Sequence, residues 1–387
     1  MEFDLSWIFL GLPVAFALGW LASRLDLRQL RMENRQAPRA YFRGLNYLLS
    51  EQQDQAIDAF IEAVQKDPDT SELHFALGNL FRRRGEYERA VRVHEHLLAR
   101  ADLGTADRAR AQHALALDFL KAGLIAHAET ALHKLAGTSY EQQAGLALLT
   151  LYERTHEWDK AAPIAHKLEQ TEQTDFGARL AHYLCEQALI VWKKQNDPQA
   201  ARALLVQAVA DAPRSPRPRI ELAGLLDAQG QAAQAFDTLA QLPEHAPQAL
   251  PLIAAELVRI GQACGRLPQA IALLQASFER APSLDVTEAL VQARQLAGAD
   301  PAQARQGYLQ HMQQEPSLIA AGRWLAGQPL APDEQARATV QRSLEHAMRP
   351  LARYRCAACG FEAQSYFWQC PGCQAWDSFP PRRIEEL

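Results

Sequence analysis

At 387 residues the chain is longer than one compact core usually serves, so several domains or a repeat array is expected. Charged residues make up 22 %, and alanine, leucine and glutamine outnumber β-branched residues, a balance that favours folded helix over strand or disorder. The formal net charge of −5 excludes a general phosphate-binding surface and so predicts no nucleic-acid partner, and the clustering of four of the six cysteines near the C-terminus excludes a secreted disulfide framework.

The first predicted element is a membrane anchor. From Leu5 to Ser23 no charged residue occurs, a length that suits a helix crossing a hydrocarbon core. Trp7 and Trp20 lie near its ends, where indole rings favour the interface. Glu2 and Asp4 precede the span, whereas Arg24, Arg28, Arg31, Arg35 and Arg39 follow it. The positive-inside rule then puts only a few N-terminal residues outside and the bulk of the chain in the cytoplasm, as a single-pass membrane protein. A cleaved secretory signal would need a basic start, and this one is acidic. The expected organisation therefore begins with an anchor over 1–23 and a basic juxtamembrane linker over 24–36.

A repeat array follows. Gly44, Tyr47, Ala56, Phe60, Ala63 and Pro68 set a phase that returns about 34 residues later as Gly78, Phe81, Ala90, His94 and Leu97. The small residue recurs as Ala128, Ala161, Ala201, Ala235 and Ala270, where it lets the second helix of a pair approach the first. This pattern resembles the tetratricopeptide repeat. A helical pair cannot bury its apolar face alone, so stacking completes the core and an all-α solenoid is expected over 37–347, with roughly nine pairs. The units near 282–312 and 316–347 are degenerate, as a terminal capping region often is. The segment Ala212 to Arg219, APRSPRPR, reads as a proline-broken, solvated turn.

The last element, over 350–387, is a small metal module. Cys356 and Cys359 form one CxxC pair, Cys370 and Cys373 another, and ten residues separate them. Two such turns can close a tetrahedral S4 site around one iron or zinc ion. Gly360 follows the first pair, where a knuckle benefits from a residue tolerant of positive φ; Gln374 stands at the equivalent place after the second. Tyr354, Phe361, Tyr366, Phe367, Trp368, Trp376 and Phe379 are expected to pack around the metal, because so short a segment cannot fold on a core of its own. Arg353 and Arg355 are placed to offset the charge of four thiolates. The motif resembles rubredoxin, with a shorter insert between the pairs, and a structural or docking role is favoured over a redox one because no flavin or haem motif accompanies it.

No HExxH, phosphate loop, nucleophile elbow or dinucleotide fingerprint appears, and nothing in the sequence argues for catalysis. His94 and His96 lie two apart on a predicted helix and cannot readily share an ion, so His94 is assigned to packing. Cys185 and Cys264 fall on or beside packed helix positions, where a free cysteine acts as a small hydrophobe.

Anchor, repeats and cysteine knuckles in this order, with YFRGLNYLLSEQQDQAIDAF after the anchor and YRCAACGFEAQSYFWQCPGC at the end, resemble the lipopolysaccharide assembly B family of Gram-negative bacteria over essentially the whole chain. The resemblance implies metal ligation by Cys356, Cys359, Cys370 and Cys373. It also implies a non-enzymatic adaptor that works with the membrane protease FtsH to promote degradation of LpxC, the deacetylase committing precursors to lipid A. Other lipopolysaccharide assembly proteins, and a second copy of the chain, are further candidate partners. Two alternatives stay open: a general scaffold for envelope enzymes, and a redox protein using an S4 iron.

Overall fold

The computed structural model describes residues 42–67, 70–172, 175–326 and 334–387, together with Phe16 and Trp20. The expected anchor and basic linker therefore lie outside the described residues. Among the described residues no helix is long and apolar enough to cross a membrane.

The chain divides into two compact units, Met1–Leu151 and Tyr152–Leu387. In the first, helix α1 (42–49) pairs with α2 (Gln53–Lys66), α3 (Ser71–Arg84) with α4 (Tyr87–Ala99), and α5 (Thr105–Ala122) with α6 (Ile125–His133), before α7 (Glu141–Thr155) crosses the boundary. The second unit contains α8 (Trp158–Glu172), α9 (Gly177–Gln195), α10 (Pro198–Asp211), α11 (Pro216–Ala228), α12 (Ala232–Ala240), a short α13 (Leu242–His245), α14 (Leu250–Ala263) and α15 (Leu267–Arg280). It continues through α16 (Leu284–Leu296), a single turn α17 (Pro301–Ala304), α18 (Gln306–Gln314), α19 (Leu318–Leu325) and α20 (Glu334–Met348). Two short strands, β1 (Tyr354–Arg355) and β2 (Glu362–Ala363), then pair antiparallel with Tyr354 opposite Ala363.

The recurring alanines explain the stacking. Ala56, Ala90, Ala128, Ala161, Ala201, Ala235 and Ala270 are each fully buried, one near the start of the second helix of successive pairs. With only a methyl group there, the two backbones approach, and leucine and phenylalanine further along fill the space to the next pair. Phe60, Leu73, Leu77 and Phe81 do this in the first unit. Phe236, Leu257, Leu274 and Phe278 do it in the second.

His94 takes part in this packing. Its ring is fully buried, with Nδ1 bonded to the carboxylate of Asp118, which also accepts from Arg82 at 2.9 Å. A β-carbon added at Gly78 would sit 2.5 Å from that ring, so the glycine at this repeat position is the space the imidazole occupies. His96 stacks instead on His74, with ring centroids 5.6 Å apart.

Candidate metal centre

The two cysteine pairs fold as matching knuckles. In the first, the Cys356 N–H donates to the Phe361 carbonyl at 2.8 Å and the Gly360 N–H to the Cys356 carbonyl at 2.9 Å. In the second, the Cys370 N–H donates to the Ala375 carbonyl at 2.9 Å and the Gln374 N–H to the Cys370 carbonyl at 2.8 Å. Gly360 has φ 78° and Gln374 φ 64°, so the missing second glycine changes the residue but not the conformation. A left-handed non-glycine residue carries a steric cost, and the paired hydrogen bonds of the knuckle hold it there.

These turns bring all four sulfurs within 4.8 Å of one another. Cys356 Sγ lies 3.8 Å from Cys373 Sγ, and Cys359 Sγ lies 3.7 Å from Cys370 Sγ. A tetrahedral ion with sulfur bonds of ~2.3 Å requires sulfur–sulfur edges of ~3.8 Å, so the donor set fits one S4 ion. Burial works against the Cys356 thiolate, but the Ser378 hydroxyl at 3.3 Å and nearby backbone amides outweigh it and pull its pKa down. The Phe361 amide favours the Cys359 thiolate, yet desolvation and the three neighbouring thiols together push its pKa up. The cluster thus resists becoming fully ionised without a cation among its sulfurs. Cys356 and Cys370 are buried beside Tyr354 and Phe379, whereas Cys359 and Cys373 are exposed.

Three sequence expectations are corrected by the surroundings. Arg353 and Arg355 are both paired with Glu362, the latter at 2.8 Å, so their charge is shared with a carboxylate. Phe361 and Phe367 are exposed at 40 % and 37 %, so only part of the aromatic set packs in the module. The APRSPRPR segment is a solvated turn only at Pro213 and Arg214: Pro216 already opens α11, and Arg217 and Arg219 are buried to 3 % and 4 % exposure.

Arg217 is part of a docking site that the sequence did not announce. Trp376 stacks on His182 of α9 with ring centroids 4.5 Å apart and an interplanar angle of 16°. The Trp376 indole N–H donates to Glu153 at 3.1 Å, and the same carboxylate accepts from the Tyr183 hydroxyl and from Arg179. Burial, reinforced by Glu153, pushes the Tyr183 phenol pKa upward. Arg217 lies 5.9 Å from the Trp368 ring centre and 5.8 Å from that of Trp376, and pairs with Glu186 at 2.6 Å. One guanidinium nitrogen of Arg217 lies 3.4 Å from His182 Nδ1, and arginine can only donate. His182 Nδ1 therefore accepts, and its Nε2–H donates to Asp377 at 2.8 Å.

Further along, the tail fastens to helix starts. Glu385 accepts from the Ser317 hydroxyl at 2.7 Å and from the Leu318 and Ile319 amides, capping α19. Glu386 accepts from the Leu284 amide at 2.6 Å, at the start of α16. Arg383 grips Asp285 through two bonds of 3.0 and 2.8 Å and lies 4.1 Å over the Tyr354 ring. With Leu252 of α14 packed against the module core, the segment rests on the end of α7 and on the first helices of successive pairs, α9, α11, α14, α16 and α19. A cleft of about 630 Å³ remains at its margin, edged by Arg214, Ser215, Tyr366, Trp368 and Phe379.

Comparison with known proteins agrees with this architecture. The rubredoxin metal binding domain matches residues 354–381, and tetratricopeptide repeats match 73–109 and 194–255. Lipopolysaccharide assembly protein B of Escherichia coli K12 is 32 % identical over 386 residues, covering 98 % of both chains. The chain belongs to the lipopolysaccharide assembly protein B family. A second member of that family, from Haemophilus influenzae, is 29 % identical over 398 residues, again covering 98 % of both chains. A tetratricopeptide repeat protein from Parabacteroides merdae superposes with a TM-score of 0.34 at 14 % identity, covering 66 % of this chain and 98 % of that one. In this lipopolysaccharide assembly protein B family member, Cys185 is fully buried and its thiol is pushed up to about 12 by burial, so it packs as a small apolar group.

Proposed function

We propose that this chain is a non-enzymatic adaptor of lipopolysaccharide assembly, held at the inner membrane by residues 1–23 and the basic linker 24–36. Its repeats, over 37–347, hold protein partners. Its terminal module, over 350–387, is folded by one iron or zinc ion on Cys356, Cys359, Cys370 and Cys373. The finer reading is that it brings LpxC to FtsH and so limits the supply of lipid A precursors. The observation that carries the adaptor reading is the docking of the module onto the helices, by part-buried polar contacts on α9, α16 and α19, by Arg217 of α11 beside two indole rings, and by Leu252 of α14. A module committed to holding a helical stack has a structural task for its metal, and stacked pairs offer extended surfaces for other proteins. The redox alternative has one observation on its side, the exposure of Cys359 and Cys373, which would put an iron near the surface. A reversible iron couple served by a physiological donor would favour it.

The deciding experiment follows LpxC in cells depleted of this chain. The adaptor reading expects a longer LpxC lifetime at unchanged synthesis, with more lipopolysaccharide. Unchanged LpxC turnover would overturn it and leave the general scaffold in its place.

A further inference from the structure

The C-terminal tail also brings chemistry to a place the four cysteines do not use. His311 on α18 is fully buried. Its Nδ1 lies 3.3 Å from the Thr287 hydroxyl of α16, and that hydroxyl donates its own proton to the Ser283 carbonyl at 2.8 Å. Thr287 can then only accept, so Nδ1 carries the imidazole proton and Nε2 is left with a lone pair. This Nε2 is buried without a hydrogen-bond partner. Desolvation by burial lowers the pKa of His311 against the opposing influence of Glu315 and Glu385, which favours the neutral ring. A buried polar atom without a partner has lost its hydration with nothing in return, so a ligand for it has energy to recover.

Candidate co-ligands are already in place. One ring nitrogen of His311 and one carboxylate oxygen each from Glu315 and Glu386 lie within 4.8 Å of one another. Glu315 ends α18, one turn beyond His311. Glu386 comes from the tail, where the Leu284 and Arg383 amides hold its two oxygens at 2.6 and 2.9 Å. We propose that His311, Glu315 and Glu386 form a second site for a divalent cation of the zinc class, which ties the C-terminal tail to α18. A neutral imidazole with two carboxylates is a donor set that such ions accept, and Thr287 fixes the tautomer from behind. The two carboxylates balance the charge of the ion. Arg382, 3.7 Å from Glu315, is a nearby cation it would have to move aside.

The ion would hold Glu386 at α16 and, through its neighbour Glu385, the cap of α19. The docked module would then have two fixings to metal, one through sulfur and one through nitrogen and oxygen. The competing arrangement puts a proton where the ion would be, with the Glu386 carboxyl, raised by burial, donating to Nε2.

The test titrates the full chain, stripped by chelator under reducing conditions, with Co²⁺. Two equivalents are expected. The first develops the intense near-ultraviolet thiolate charge-transfer bands of an S4 centre, and the second adds only weak visible bands. Glu315→Gln, at a partly exposed position, should weaken the second event at least about tenfold and leave the thiolate bands unchanged. Glu386→Gln, which keeps an acceptor for the Leu284 amide, should do the same. Uptake of a single equivalent, or a second event that survives both substitutions, would overturn the proposal. A proton-sharing pair gives the single-equivalent result.

Discussion

Arg217 holds a charge that water cannot reach. It is 3 % exposed, and its partners are Glu186 at 2.6 Å and Glu221 at 3.5 Å, with two indole rings nearby. Truncation to alanine would leave Glu186 and the His182 acceptor facing a gap, so Arg217→Ala should destabilise the second unit by about 3–5 kcal/mol. Denaturant unfolding followed by tryptophan fluorescence checks this. Arg217→Lys should recover little, because a lysine cannot present a planar fork between two indoles and a carboxylate. The residue was hidden from sequence reading by its neighbours. Three prolines within APRSPRPR suggested a turn, yet Ser215 followed by Pro216 is also a helix-start pattern, with proline at a first-turn position where its missing N–H costs nothing. Gly78 is the opposite case. Its phase in the repeat was legible, but its reason is a buried imidazole whose partner, Asp118, left no periodic signal. Gly78→Ala should cost about 1–3 kcal/mol, since the ring pinned by Asp118 cannot move aside, and thermal unfolding of the variant measures the loss.

Helices α16 and α19 show what an element can borrow from distant chain. Most of the fold was legible because apolar residues recur with the helical period and an alanine marks the close crossing of each pair from α1/α2 to α14/α15. The last repeats looked degenerate for a physical reason. Ser283 caps the Val286 amide and Ser317 caps the Ala320 amide, but the Leu284 amide of α16 depends on Glu386 and the Leu318 and Ile319 amides of α19 depend on Glu385. A cap supplied from the far end of the chain leaves no trace in the local pattern. Glu385→Ala should remove acceptors for both the Leu318 and Ile319 amides and cost about 1 kcal/mol. Amide hydrogen exchange should then quicken about fivefold at those two positions, while α18 stays protected. Unchanged exchange there would mean that water replaces the carboxylate at no cost. The cysteine knuckles stand at the other extreme. Their ligand spacing is local and was visible at once, whereas the roles of Arg353 and Arg355 depended on Glu362, a residue whose alignment with them required the β1–β2 pairing to be known.

For the second unit as a whole, the metal module and the helical stack are thermodynamically linked. The module core is small, with Tyr354, Cys356, Cys370 and Phe379 as its buried members, too little apolar surface to fold such a segment without an ion. Every docking residue on it, from Trp368 and Trp376 to Asp377, Arg383, Glu385 and Glu386, is presented by that fold. Loss of the metal should therefore propagate outward along a defined path. It should first unravel the knuckles, then release His182, Arg217 and Glu153 from their indole partners, and finally uncap α16 and α19. Removing the ion with a strong chelator, or replacing Cys356 and Cys359 with serine, should raise hydrogen exchange across 354–379 and also in α9, in α11 and at the starts of α16 and α19. Tryptophan emission should shift to the red as Trp368 and Trp376 enter water, and metal analysis of untreated protein should find at least one ion per chain. Helices α3 to α5 of the first unit, whose cores hold no part of the module, serve as the internal control and should keep their protection. Exchange confined to 354–379 would show that the stack holds its own shape without the docked module, and the metal would then have to act through some other surface. If the wider pattern is found, partner proteins that engage the first-helix face of this unit meet either the module or a face bared by its loss, so metal occupancy decides which surface the cell presents.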